Sequence, residues 1–203
     1  MTKLRTDGNT SQMAGVSKTM TDSSSLPVAP TWSGVNHLAL VTDDMDATTR
    51  FYAGVLGMPL VTTLMAGPMR HYFFEIAPGN TVAFFEIPGA ETFKKGAGGP
   101  APHPVQLDHI SFNLPDEAAL HSLRARLAAA NCEVTEIVDH GSIQSVYFTD
   151  NNGIALEATY WANDPTVGDP DFSGSHFSDP SPVPAVTELA NGTLQSVPST
   201  QLV

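Results

Sequence analysis

Twice in this chain an apolar-alternating run carries a histidine in third place. The runs are Val35-Asn36-His37-Leu38-Ala39-Leu40-Val41-Thr42 and Leu107-Asp108-His109-Ile110-Ser111-Phe112-Asn113-Leu114. Each leads into an acidic turn and then a pattern of helical period. The histidines stand 72 positions apart (37 to 109). Two glutamates that close later strand-like runs, Glu86 and Glu157, stand 71 apart (86 to 157). Self-similarity at a fixed interval means one structural unit built twice. A His and a Glu repeated with it point to four ligands around one metal ion.

The same order of elements follows each histidine. After the first strand, Thr42 or Asp43 can cap a helix whose first turn carries Asp44 and Asp46, where the dipole favours acids. Phe51, Val55 and Leu56 give that helix its apolar stripe, and Gly57 stops it. Leu60–Met65, Met69–Ile76 and Thr81–Ile87 read as three strands separated by Gly67-Pro68 and Pro78-Gly79-Asn80 turns. In the second unit Val105–Leu114 is a strand, and Pro115-Asp116-Glu117 opens a helix carrying Leu120, Leu123 and Leu127. Glu133–Val138, Gln144–Thr149 and Ile154–Tyr160 complete it, with Asp150-Asn151-Asn152-Gly153 as a tight turn. The predicted fold is α+β: two βαβββ modules forming a curved eight-stranded mixed sheet, a cup with helices on its convex side.

These patterns divide the chain into a mobile N-terminal arm (1–33), the paired domain (34–161) and an extended Pro- and Asp-rich tail (162–203). Within the domain, module 1 covers 34–87, a Gly/Pro-rich linker with Lys94 and Lys95 covers 88–104, and module 2 covers 105–161. Phe172 and Phe177 suggest that the tail wraps the domain or a partner subunit. The net charge of −12 over 203 residues argues against nucleic acid, whose phosphates require clustered Lys and Arg. No apolar run is long enough to span a bilayer and no secretory h-region precedes the domain, so a cytoplasmic protein is expected. Cys132, the single cysteine, permits no intrachain disulfide and no thiolate metal site.

Alternation sets His37 opposite the leucines of its strand, and His109 with Ser111 and Asn113. Glu86 is grouped with Phe84, and Glu157 with Ala155 and Thr159. All four ligand candidates are expected to project away from the helices into the cup. Imidazole and carboxylate together suit Fe(II), Mn, Ni, Co or Zn. Phe73, Phe74, Phe84 and Phe85 sit on adjacent strands, and Phe73 and Phe84, with His71, are the candidates for lining the substrate pocket. His103 and His176 lie in Pro- and Gly-rich stretches and carry no assignment.

At this point the chain resembles the vicinal oxygen chelate superfamily, which includes glyoxalase I, type I extradiol dioxygenases, fosfomycin-resistance enzymes and bleomycin-binding proteins. The resemblance rests on Asp46-Ala47-Thr48-Thr49-Arg50-Phe51-Tyr52 leading to Val55-Leu56-Gly57-Met58, and on Asp150-Asn151-Asn152-Gly153 leading to Leu156-Glu157. It covers about residues 34–161 and implies paired modules around a metal that binds substrate through adjacent oxygens. Val138-Asp139-His140 with Val146-Tyr147, Asp150, Gly153 and Glu157 is similar to the extradiol dioxygenase signature, with Asn151 where that signature has proline. There the match implies His37, His109 and Glu157 as the iron triad and His140 and Tyr147 as residues lining the site.

Glu86 pulls toward a second reading. In glyoxalase I the matching place holds a metal-binding, catalytic glutamate, and in the dioxygenases a catalytic histidine. The favoured expectation is an Fe(II) extradiol-type dioxygenase that combines a small catechol-like substrate with dioxygen. The alternatives are a glyoxalase I-like lyase or isomerase with Ni or Zn, and a non-catalytic protein that sequesters a small molecule. A homodimer fits all three, because in this superfamily the cup forms within one chain or across two.

Overall fold

A computed structural model describes residues 29–91, 95–100 and 106–194. Most of the N-terminal arm, Lys94, His103 and the end of the tail therefore lie outside the described residues. The described residues from Gly34 onward belong to one compact unit, and it holds everything that follows.

Its eight strands form two four-stranded mixed sheets rather than one continuous eight-stranded sheet. The first sheet contains β1 (His37–Thr42), β2 (Leu60–Ala66), β3 (Met69–Ala77) and β4 (Asn80–Glu86), in the order β1-β4-β3-β2. The second contains β5 (Ile110–Asn113), β6 (Val138–Asp139), β7 (Ile143–Thr149) and β8 (Ala155–Trp161), in the order β5-β8-β7-β6. In each, the first strand runs parallel to the last and the other pairings are antiparallel. The duplication seen in the sequence is thus a duplication of topology. The expected strand over 133–138 shrinks to β6 and an isolated bridge from Val134 to Phe148.

Asp44, in extended conformation, caps α1 (Met45–Thr49) by accepting from the Ala47 amide at 2.9 Å. Without a break the helix widens into a π-type turn over Arg50–Val55, marked by Leu56 N–H donating to the Phe51 carbonyl at 2.9 Å. Widening of this kind changes the direction in which side chains leave the helix. Here it accompanies complete burial of Tyr52. Asp116 caps α2 (Glu117–Ala129) in the same way, accepting from Ala119 N–H at 2.8 Å.

A single core joins both modules. Leu120 and Leu127 from α2 and Phe51 and Tyr52 from the π-type turn meet Phe74, Val82 and Phe84 of one sheet and Phe112, Val146, Phe148 and Leu156 of the other. Full burial of each large side chain contributes about 1.5–3 kcal/mol. Polar groups lock the modules further. Tyr52 donates to Asp150 Oδ2 at 3.1 Å, Thr42 to Asn152 Oδ1 at 2.7 Å and Asn151 to Thr48 Oγ1 at 3.1 Å. Arg126 donates to the carbonyls of Val55 and Gly54.

The consequence decides where a site can form. Each sheet turns its helix-covered face toward the shared core, so the opposite faces, one with His37 and one with His109, look outward. The tail, expected to be extended, instead contains turns and a short helix, α3 (Pro184–Ala190). Proline at its first position presets the helical φ.

Candidate metal and substrate site

Strand register assigns each candidate to a face. His37 pairs with Thr81, Ala39 with Ala83 and Val41 with Phe85. Phe73 then pairs with Ala83, and His71 with Phe85. Partners in register share a face, so the outward face of the first sheet carries His37, His71, Phe73 and Phe85. His71 is buried and stacks on Phe85 with ring centroids 3.6 Å apart. Among the described residues no hydrogen-bond partner reaches its Nε2. Burial and the nearby His37 both push the His71 imidazole below its ordinary pKa.

Glu86 and Phe84 are on the other face, which corrects two expectations. Phe84 is fully buried against Tyr52, at 4.9 Å between centroids, and is part of the core rather than a wall of the cup. Glu86 pairs in register with Thr42 and accepts from the Met45 amide at the start of α1, at 3.0 Å, and from Arg70. These two donors hold its carboxyl below the usual carboxylate range. It opens onto a separate cavity of about 390 Å3 with Asp44, Asp46 and Arg70, and no histidine lines that cavity.

The physical reason is the single residue by which the two intervals differ. In a strand, a shift of one residue carries a side chain to the opposite face. The position 72 residues before Glu157 is Phe85, which does face outward; Glu86 is its neighbour.

On the second sheet the outward face gathers its candidates. His109 Nε2 lies 2.9 Å from Glu157 Oε2, and His109 Nδ1 lies 2.6 Å from Asp108 Oδ2. Tyr147 is opposite Glu157 in register and its hydroxyl is 2.8 Å from His140 Nε2. The rings of His109 and Tyr147 meet edge to face at 6.0 Å. His109, His140 and Tyr147 line one cavity of about 380 Å3, which the linker residues Lys95 and Ala97 to Pro100 help to close.

Glu157 is 4 % exposed. Burial pushes its carboxyl up, but Ser145, Ser111, Tyr147 and His109 outweigh that effect and hold it below the usual range. Its second oxygen, Oε1, is buried with no hydrogen-bond partner of good geometry among the described residues. The Tyr147 phenol is pushed up, first by burial and then by the Glu157 carboxylate.

A buried carboxylate oxygen without a partner, beside an imidazole whose far nitrogen is held by an acid, is a donor pair suited to a divalent cation. It is half a site. Among the described residues no three His, Cys, Asp or Glu side chains converge as a metal cluster, so a single chain does not bring His37 to His109 and Glu157. Lys95 and Asp108 were not singled out as site residues from the sequence. Lys95 stood in a stretch that composition marks as linker, and only its burial in the fold reveals it.

In family and fold the chain is similar to known proteins. The family model described as Glyoxalase/Bleomycin resistance protein/Dioxygenase superfamily matches residues 34–158. A Bacillus subtilis (strain 168) protein named "Putative ring-cleaving dioxygenase MhqA" is 28% identical over 133 residues, covering 63% of this chain. The chain spans 40% of that relative's length. A crystal structure of a glyoxylase/bleomycin resistance protein/dioxygenase domain from Frankia sp. EAN1pec shares 26% identity at a TM-score of 0.55, covering 64% of this chain and 99% of that one. A glyoxalase family protein from Enterococcus faecalis, 17% identical with a TM-score of 0.51, has the same fold and covers 63% of this chain and 98% of its own. No helix among the described residues is long and apolar enough to cross a membrane.

Proposed function

The chain belongs to the Glyoxalase/Bleomycin resistance protein/Dioxygenase superfamily, and from that premise we propose that it is an Fe(II)-dependent ring-cleaving dioxygenase of the extradiol type, acting on a small catechol-like aromatic. One observation carries this reading: His109, Tyr147 and His140 line one cavity, with the buried Glu157 carboxylate 2.9 Å from His109, while Glu86 is turned to the helix side. A glyoxalase-like centre uses all four repeated ligands, and Glu86 is not available to it. Two imidazoles and one carboxylate, the set left when Glu86 is removed, leave coordination positions free for substrate and dioxygen. The similarity to a protein named for ring cleavage supports the same reading.

In this proposal two copies of the chain share each site. His109 and Glu157 come from one copy and His37 from the second. The outward direction of both sheet faces supports this. So do Val41 and Leu64, apolar residues 40% and 42% exposed on the face that carries His37. β1 and β5 each stand at the edge of their sheet, free to approach a partner.

When bound, iron supplies the redox chemistry that lets dioxygen react with a catecholate. The chain's own residues hold and move protons. Tyr147, with a phenol that resists ionisation, donates to an oxygen of the bound substrate. His140, within hydrogen-bond reach of that hydroxyl, takes or returns the proton. Glu157 remains ionised for the metal because the hydroxyls around it favour its charge. Phe73 and Phe85 offer an apolar wall to a flat ring from the other half of the cup.

The test is loading with Fe(II) in the absence of oxygen, followed by a panel of catechols. Dioxygen uptake with a yellow ring-fission product is expected. Iron-loaded protein that consumes no dioxygen with any member of the panel sinks the proposal, and turnover of a hemithioacetal instead would restore the lyase reading.

A further inference from the structure

His176 carries no assignment from the sequence, and it lies beyond residue 158, where the family match ends. In the fold it is joined to the edge of the site. Asn163 Nδ2 donates to its Nε2 at 3.1 Å, and its Nδ1 lies 3.4 Å from Ser142 Oγ. The Asn163 amide also donates to the Ser142 carbonyl at 3.0 Å. Three separate pieces of chain meet there: the turn between β6 and β7, the exit from β8, and the tail.

That turn carries His140. The His140 amide donates to the Ile143 carbonyl at 2.9 Å, and Gly141, at φ +85, donates to Asp139 Oδ1 at 2.7 Å. On one side of the turn, β6 is two residues long and is the outer strand of its sheet. So short a hairpin end is marginal without further support. His140 is itself exposed, so packing does not fix its ring. The tail loop, by contrast, is braced from within. Gly174 donates to the Asp171 carbonyl at 2.9 Å, Phe177 donates to the Gly174 carbonyl at 3.1 Å, and the rings of Phe172 and Phe177 meet at 4.7 Å.

We propose that His176 is a positioning residue for His140: through Ser142 and Asn163 it clasps the β6–β7 turn, and the clasp keeps the His140 ring within reach of the Tyr147 hydroxyl, 2.8 Å away. The proposal rests on the reading of His140 and Tyr147 as the proton-handling pair, but where the two rings stand is a property of the protein by itself. Without the clasp the turn moves independently of β7, and His140 spends less time against Tyr147. Misplacing a reacting group by about 1 Å can lower turnover by roughly 100-fold.

Two measurements on the full chain test this. In metal-free protein with labelled His and Tyr, wild type should show a through-space cross-peak between the rings of His140 and Tyr147, whose centroids stand 6.2 Å apart. His176→Ala should weaken it strongly. His176→Gln, whose amide can take the Asn163 bond, should keep most of it. A cross-peak of equal strength in His176→Ala overturns the proposal. So does an equal loss in both variants, which shows that the bond is not the cause. With Fe(II) and a catechol that wild type cleaves, His176→Ala should lower kcat by about tenfold or more at unchanged KM, and His176→Gln should recover most of it. An unchanged kcat, or a rise in KM alone, also overturns the proposal. A wild type that cleaves no catechol but passes the cross-peak test removes the dioxygenase reading and leaves the placement of His140 by the tail standing.

Discussion

Replacing Glu86 separates the two faces of the first sheet more directly than any other change. In this fold the carboxylate is an anchor for α1: it accepts from the Met45 amide at 3.0 Å and pairs with Arg70. Glu86→Ala removes a charge-assisted hydrogen bond, about 1.5–3 kcal/mol when well shielded, and a favourable charge at a helix N-terminus, about 0.3–1 kcal/mol. The Glu86 side chain is 19% exposed and Arg70 is 53% exposed, so the ion pair itself adds little and the lower end applies. We expect a loss of about 1.5–2 kcal/mol at neutral pH, read as a lower urea midpoint with unchanged slope. The folded-state pKa of Glu86 is depressed, so its contribution is present above the unfolded value. It is lost as pH falls through the lower, folded one, and the gap between wild type and variant should close in acid. Divalent metal affinity should stay within about twofold, against the roughly 10–100-fold loss reported for disturbed metal surroundings. A collapse of metal binding with stability untouched would refute the assignment of Glu86 to the helix side.

A shared site makes His37→Ala and His109→Ala each inactive alone. When the two are unfolded and refolded together, random pairing should restore about a quarter of the sites, because every mixed dimer has one site with both ligands intact. No recovery rules out sharing. Tyr52→Phe removes the buried bond to Asp150 and should destabilise by roughly 2 kcal/mol at neutral pH. Burial raises the Asp150 pKa, and the Tyr52 bond offsets part of that rise. The penalty should therefore shrink as pH falls through the Asp150 pKa and the carboxyl protonates; a pH-independent penalty counts against the coupling. Gly98→Ala, at positive φ and against the Tyr147 ring, should lower turnover with little change in melting temperature. Equal turnover shows that the linker does not close the site.

The modules, their order and their helix caps could be read from the sequence because each rests on local chemistry. Period-two runs give the strands, Asp116 follows Pro115 at the start of α2, and Gly57 ends the first helix. Cap choice at α1 shifted from Thr42 or Asp43 to Asp44, a matter of one or two residues. His109, Tyr147, His140 and Glu157 were legible as a group because the resemblance named them together; in the fold His109, Tyr147 and His140 line one cavity and Glu157 lies against His109. The face of Glu86 differs from the expectation because its spacing is similar to the repeat and not identical, and in a strand one residue is the whole difference. That the helix-free faces of the two sheets look outward instead of meeting in one cup could not be read. That depends on the packing of Tyr52 and α2 between them, which no single stretch encodes. Lys95 was hidden for the opposite reason: its neighbours have linker composition, and only a tertiary ion pair distinguishes it.

The turn Asp150-Asn151-Asn152-Gly153 has a role that its shape alone does not suggest. Asp150 and Asn152 close the hairpin internally, with Gly153 at φ +83. Across to the other module, Asp150 accepts from Tyr52, Asn152 accepts from Thr42 and Asn151 donates to Thr48. It is a bolt through both halves of the molecule. Tolerance to insertion should therefore be lopsided: an extra residue beside Gly67-Pro68 lengthens a loop, whereas one beside Asn152 unfastens the two modules and changes the angle between the two sheets.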